Sequence, residues 1–254
     1  MKENRLSDNL SKAVDLILSS SRTTSFTGAG ISVESGIPPF RGSGGLWNKF
    51  DPVFLDIDYF YEYPEKSWKF IKEIFYDFFG KAKPNAAHFA LSELEKQGLL
   101  QSVITQNIDN LHQLAGSAEV YEFHGNSRHL ICTNCSSLYA AKNIDLSVLP
   151  PKCEKCDSLL KPDFVFFGES IPELANTNSF GEIAKADVFV LIGTSGEIMP
   201  ASMIPYEASK INKSIIEINI DPSNYTNTIT DVFLQGKATE IMHQLLMKIR
   251  DSKK

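Results

Sequence analysis

The apolar positions of this chain alternate between two rhythms, one of helical period and one of short continuous runs. Between residues 7 and 20, Leu10, Val14, Ile17 and Leu18 recur at helical spacing and predict an amphipathic opening helix. A β-prone run, Thr23 to Thr27, leads into the turn Gly28-Ala29-Gly30-Ile31-Ser32. A second helix is predicted with Pro84 in its first turn, Gly98 just past its end, and Ala87, Leu91 and Leu94 on one face. Short runs predict strands at residues 102–105, 120–123, 187–192 and 214–218, the last two largely apolar, as strands buried in a parallel sheet are. A closing helix over residues 238–249 points Ile241, Leu245, Leu246 and Ile249 inward. Residues 56–79 are crowded with aromatic side chains, and core packing of a helical insert explains most of them better than ligand contact.

Each predicted strand ends in polar or glycine residues: Gln106-Asn107-Ile108-Asp109, His124-Gly125, Gly193-Thr194-Ser195 and Asn219-Ile220-Asp221. Ligands of parallel α/β sheets sit beyond the carboxyl ends of the strands, so these are candidate site residues. The plain alternative for the Asn-Ile-Asp run is a cap for the next helix. The Gly28–Gly30 turn, where backbone N–H groups can approach a pyrophosphate, hints at a dinucleotide. The dinucleotide fingerprint wants a third glycine at position 33, and Val33 stands there. Phe40 and Arg41 follow on a Gly/Pro-stiffened loop and add an aromatic face and a fixed cation.

Composition narrows the class. With 254 residues and 43% hydrophobic content, the chain suits one large α/β unit or a main domain with a smaller insert. No apolar run is long enough to span a bilayer, and the polar stretch at Met1 to Arg5 does not resemble a signal peptide, so we expect a soluble cytoplasmic protein. A formal charge of -6 argues against direct nucleic-acid binding and favours a lysine-bearing partner. All four cysteines lie in two C-x-x-C pairs, Cys132/Cys135 and Cys153/Cys156. That pattern predicts a closed, structural zinc site in a small ribbon over residues 127–161, with two disulfides or unrelated thiols as the disfavoured alternative.

In this order the motifs resemble the sirtuins, NAD-dependent protein-lysine deacylases. The resemblance rests on residues 28–32, Phe40-Arg41-Gly42, Thr105 to Asp109 with Leu111-His112, His124-Gly125, the four cysteines, the run from Lys161 to Glu169, Gly193-Thr194-Ser195 and Asn219 to Asp221. It implies an α/β fold: a Rossmann-like parallel sheet with helices on both faces, from residues 1–36, 84–126 and 162–254. A smaller lobe would hold the cofactor loop and helical insert (37–83) and the zinc ribbon (127–161). It also implies NAD as co-substrate and structural Zn2+, with the acyl group passing from lysine to ADP-ribose and nicotinamide leaving.

By the same resemblance His124 is the base, Asp109 reads the nicotinamide carboxamide, and Asn107 places the ribose and a water. Gly28, Ala29, Gly30, Ser32, Phe40, Arg41 and Gln106 belong to the cofactor pocket, and Gly193, Thr194, Ser195, Asn219 and Asp221 to its phosphate and adenosine end. Val165, Phe166, Phe167, Gly168 and Glu169 form a strand edge for the acyl-lysine peptide. His88 and His243 are read as packing or surface residues and His112 as a structural hydrogen-bonding partner. Two departures stand out. Pro39 replaces the usual aspartate, and Gly196 replaces a frequent leucine and is expected to loosen one wall. Sirtuins that remove acidic acyl groups carry a Tyr-x-x-Arg pair, and this chain has no arginine between Arg41 and Arg128, so acetyl or longer aliphatic groups are expected over succinyl. A mono-ADP-ribosyltransferase using the same NAD site and a non-enzymatic NAD-binding regulator remain the alternatives.

Overall fold

The computed structural model describes residues 2–42 and 44–253. Helix α1 (Lys2–Ser19) starts earlier than its apolar stripe and buries Leu10, Val14 and Ile17. Strands β1 (Thr23–Thr27), β2 (Ser102–Thr105), β3 (Val120–Glu122), β7 (Val188–Ile192), β8 (Ser214–Asn219) and β9 (Val232–Gln235) form one parallel sheet in the order β3-β2-β1-β7-β8-β9. Strands β4 (Gly125–Cys132), β5 (Leu138–Ala140) and β6 (Leu160–Phe164) form a separate antiparallel sheet in the order β5-β4-β6.

Strand residues of the large sheet alternate between two cores. Val103, Val188, Val190, Ile192, Ile216 and Ile218 pack with α1, α4 (Ala86–Lys96) and α8 (Ala238–Ser252). Phe26, Ile104, Phe189, Leu191 and Ile215 pack with α6 (Glu173–Lys185) and α7 (Met203–Lys210) on the other face. Helices therefore cover both faces. The strand order reverses between β1 and β7, and such a switch point opens a crevice at the carboxyl ends of the two strands.

The aromatic insert folds as α2 (Ile57–Glu62) and α3 (Pro64–Ile71), then widens into a π-helical stretch (Lys72–Phe78) and closes as a 3-10 turn (Phe79–Lys81). It shares one core with the three-stranded sheet: Phe60, Trp68, Ile71 and Phe75 pack with Leu130, Leu160, Phe164 and Phe166. The indole N–H of Trp68 donates to the Leu160 carbonyl at 2.9 Å, so a fully buried aromatic of the insert is also bonded to the ribbon. Strands β4 and β6 run unbroken through residues 126/127 and 161/162. No helix among the described residues is long and apolar enough to cross a membrane.

Several local expectations shift. Pro84 stands outside α4; Asn85 is its cap, accepting the Ala87 N–H at 2.9 Å and donating to the Ile31 carbonyl at 2.8 Å. The glycine-rich turn continues as a 3-10 helix (Ala29–Ser35) past Ser32, and ends at Gly36. Helices α6 and α7 and strand β9 carry weak patterns: α6 holds three asparagine or glycine residues, α7 includes Pro205, and β9 is a four-residue edge.

Candidate active site

A cavity of about 1220 Å³ opens at the β1/β7 switch point. One end is bounded by Gly28, Ala29, Gly30, Gly193, Thr194, Ser195, Asn219 and Asp221, the other by residues 164–169, with Gln106, Asn107 and His124 between. Phe40 and Arg41 reach it from the cofactor loop, where the Phe40 ring lies 5.3 Å from Trp47. The glycines serve first to let two turns touch: a Cβ on Gly30 would lie 2.5 Å from the Gly193 Cα. Their amides are spent inside the protein, Gly28 N–H on Ile192 O (3.0 Å) and Gly30 N–H on Gly193 O (2.8 Å). The N–H groups of Ala29, Thr194 and Ser195 have no protein partner among the described residues, and these are the donors left for an anion. Gln106 Nε2 holds the Thr194 hydroxyl at 3.1 Å and Asn219 Nδ2 the Thr194 carbonyl at 2.9 Å, bracing the turn across the crevice.

His124 is half-buried just past β3. Its Nδ1 lies 3.0 Å from the Gln106 carbonyl. A carbonyl can only accept, so Nδ1 carries the proton and Nε2 keeps its lone pair. Burial pulls the imidazole below its ordinary pKa, and the Gln106 bond opposes this only partly. The residue is therefore a neutral base at pH 7, more firmly than an unperturbed histidine would be.

Behind the wall lies a polar network. Asn107 Nδ2 donates to Gly28 O at 3.1 Å and Ser32 Oγ at 3.3 Å; Ser32 Oγ donates to Asp109 Oδ2 at 2.7 Å. The other Asp109 oxygen accepts the Leu111 N–H at 3.0 Å, but the cap position of helix α5 (Leu111–Leu114) is Asn110, whose side chain makes no cap bond, so no residue of the Asn-Ile-Asp run is the cap. Asn107 lines the cavity, whereas Asp109 and Ser32 stand one layer back. Burial raises the Asp109 pKa, and the Leu111 and Ser32 bonds counter it. His88 accepts the Asn85 N–H through Nδ1 at 3.3 Å, which leaves Nε2–H toward Ser32 at 3.5 Å; burial lowers its pKa to about 4. His112 pairs with the Thr27 hydroxyl at 2.9 Å and is likewise held neutral by burial, with His88 adding to the effect. His243 lies exposed on α8. The place of His88 at the third position of a helix cap was the sequence signal for its inward side chain.

The expected strand edge over residues 165–169 is not a strand: of these residues only Phe167 makes an isolated bridge, to Asp56. Strand β6 stops at Phe164, because the amides beyond it turn to other partners: Val165 N–H donates to His124 O (2.9 Å) and Phe167 N–H to Leu55 O (2.8 Å). Phe166 is buried, while Phe167 is exposed at the cavity mouth. Trp47, Leu55, Phe75 and Ile108 add an apolar wall that no motif in the sequence marks as part of the site. Gly196 does not loosen the site: it has φ +74°, and a Cβ would meet the ring of the fully buried Tyr225 at 2.8 Å.

The four cysteine Sγ atoms lie within 4.8 Å of one another, with Cys132–Cys156 at 3.5 Å and Cys135–Cys153 at 3.6 Å. A tetrahedral zinc with ~2.3 Å bonds spaces its sulfurs by about 3.8 Å, so the set fits zinc. The two turns are built alike. The residue after each second cysteine, Ser136 and Asp157, has positive φ and returns its N–H to the first cysteine's carbonyl.

The Sir2 family model matches residues 28–200. The chain is 46% identical over 251 residues to an NAD-dependent protein deacylase of Pyrococcus furiosus, covering 95% of this chain and 98% of the relative. It is 42% identical over 246 residues to NAD-dependent protein deacetylase 1 of Pyrobaculum aerophilum, covering 96% of each. Among solved structures, a mutant Sir2 homologue with ADP-ribose superposes with a TM-score of 0.90 at 39% identity, over 95% of this chain and 96% of that one. A Sir2 complex with p53 peptide and NAD+ gives 0.87 at 34%, over 94% and 98%. Sequence and backbone path thus agree along nearly the whole length, and the chain belongs to the Sir2 family.

Proposed function

We propose that this chain is an NAD-dependent protein-lysine deacylase. The observation that carries the reading is one continuous cavity with a neutral, correctly tautomeric His124 between the switch-point turns and the 164–169 segment. The complete reaction takes NAD, acyl-lysine and water to nicotinamide, O-acyl-ADP-ribose and free lysine. Bound at the crevice, NAD supplies a glycosidic bond whose cleavage makes the ribose electrophilic toward the acyl oxygen.

The chain's residues then have separable tasks. Ala29, Thr194 and Ser195 offer amides to the pyrophosphate, while Asn219 and Asp221 face the adenosine ribose at the end of β8. Asn107 places the nicotinamide ribose. Asp109 acts through Ser32 and Asn107, whose side chains it orients, and meets the carboxamide only if those bonds rearrange. His124 Nε2 takes a proton from a ribose hydroxyl, which general-base catalysis supports with about 10²–10⁴ in rate. Phe40 and Arg41 cover the site and exclude water. Residues 165–169 hold the peptide backbone, so that only the acyl-lysine enters the apolar end.

Cys132, Cys135, Cys153 and Cys156 hold zinc, which stabilises the ribbon and takes no part in the chemistry. We read residues 1–36, 84–126 and 162–254 as the nucleotide-binding lobe and the remainder as the small lobe. Reduced thiols and the need for NAD fit the cytoplasm, and the charge of -6 fits a lysine-rich protein partner over nucleic acid. The test follows both products by mass from an acetyl-lysine peptide and NAD, with wild-type protein and His124→Ala. Deacylation lost with NAD binding kept is the expected result. ADP-ribosylated protein in place of O-acetyl-ADP-ribose would point to a transferase.

A further inference from the structure

The peptide-facing segment is anchored by an ion pair, buried at Lys161 and half-buried at Glu169, that the bond-making steps do not use. Lys161 is 6% exposed. Its ammonium donates to Phe164 O at 2.7 Å and Pro162 O at 2.9 Å and stands 3.0 Å from Glu169 Oε2. These contacts occupy all three N–H bonds of the ammonium. The charge also lies 4.1 Å over the Phe166 ring. Glu169 Oε2 in turn accepts the Phe166 N–H at 2.7 Å. The result is a closed loop of interactions from Lys161 across to Glu169 and back into the backbone at Phe164 and Phe166.

This loop decides which backbone groups remain available. Phe164 C=O goes to Lys161, Phe166 N–H to Glu169 Oε2, and Phe166 C=O accepts the Glu169 N–H at 3.0 Å. Val165 N–H is held by His124 O, and both polar groups of Phe167 bind the insert at Leu55 and Ile57. Val165 C=O and the N–H and C=O of Gly168 have no protein partner among the described residues. They lie along one edge of the cavity, where an extended peptide can pair with them. Burial draws Lys161 below its ordinary pKa, while Glu169 and Asp163 hold the charged form in place. An apolar pair of the same volume would pack here without the desolvation cost, but would fix neither Phe164 C=O nor Phe166 N–H.

We propose that Lys161 and Glu169 are positioning residues that hold the 164–169 segment in register for the acyl-lysine peptide, and so set peptide affinity separately from NAD affinity. The proposal rests on the deacylase reading for the identity of the peptide. Its test uses the zinc-loaded full chain with Lys161→Met and Glu169→Gln. Steady-state rates give KM for acetyl-lysine peptide and for NAD separately, anisotropy of a labelled acetyl-lysine peptide gives Kd, and melting gives Tm.

Lys161→Met should raise peptide KM and Kd by at least tenfold while NAD KM stays within twofold. Glu169→Gln keeps an acceptor for Phe166 N–H and should produce a smaller rise of the same kind. Peptide constants within twofold of wild type overturn the proposal. So do peptide and NAD constants that rise together with a fall in Tm, since that is general loosening of the lobe. Should Lys161→Met fail to fold, the same split in Glu169→Gln decides. Wild-type protein that binds the peptide yet consumes no NAD refutes the deacylase reading, and anisotropy of the variants still judges the pair. Wild-type protein that does not bind the peptide overturns the proposal itself.

Discussion

Replacing the acetyl group of the substrate with succinyl should cost this protein most of its activity. The apolar end of the cavity is lined by Trp47, Leu55, Phe75, Ile108, Phe164 and Phe166, and Arg41 is the only lysine or arginine on the cavity wall among the described residues. Arg41 is exposed, on the loop at the entrance. Tyr76, the polar residue nearest in sequence to Phe75, faces away from the cavity: its ring stacks on Trp68 at 6.2 Å. A carboxylate pushed into this end loses its hydration and finds no cation, a penalty of about 3 kcal/mol after relaxation. At 1.36 kcal/mol per decade, kcat/KM for succinyl-lysine should fall roughly a hundredfold or more below acetyl-lysine. Butyryl-lysine carries two further methylenes and no charge, and each buried methylene contributes about 0.8 kcal/mol in its favour, so it should compete well. The assay is a competition of acetyl, butyryl and succinyl forms of one peptide, with products counted by mass. Succinyl removal within tenfold of acetyl would refute the reasoning, because a cation would then have to reach the buried end.

Further outcomes follow from the same geometry. Since burial lowers the His124 pKa and the base works deprotonated, kcat/KM should climb with pH through an apparent pKa below 6.5 and level off by about pH 7; an acid limb centred above 7 argues for another group. Gly196→Leu combines a strained φ with overlap of the Tyr225 ring and should cost about 3 kcal/mol by thermal unfolding, with NAD KM raised; an unchanged Tm would remove the packing argument. Cys135→Ser should lower zinc content by metal analysis and red-shift the emission of Trp68, whose core is shared with the ribbon; unshifted emission in zinc-depleted protein would show that the insert stands without it.

Sequence patterns carried the sheet well where strands were buried and apolar. The runs at Thr23–Thr27 and Ser102–Thr105 coincide with β1 and β2, and β7 and β8 differ from expectation by one residue. Helix α6 escaped because its inward positions include Ser179 and Glu182, the latter paired with Arg22 at 2.8 Å, so no apolar stripe marks it. The site's residue types were legible because strand ends are short and polar, yet their layering was not. Nothing in Asn107-Ile108-Asp109 says that the first side chain faces the cavity and the third faces Ser32. Nor does composition reveal that Gly28 and Gly30 spend their amides on a neighbouring turn. Pro39 takes part in the loop through its carbonyl, which accepts Leu46 N–H at 2.8 Å, a bond any residue could make; nothing in the structure explains the proline itself.

The pairing of Gly125 with Phe164 means that the zinc-bearing excursion leaves and re-enters the main body at adjacent points of neighbouring strands. Such a doorway is the geometry that tolerates exchange of whole modules, because the host sees the same two ends whatever lies between them. Here the exchange has a condition attached. Leu160, which receives the Trp68 indole bond, lies inside the excursion, while Trp68 belongs to a segment inserted much earlier in the chain. A transplanted ribbon would have to follow the same backbone path under that indole to place a carbonyl there, so the two insertions are best engineered as a matched set.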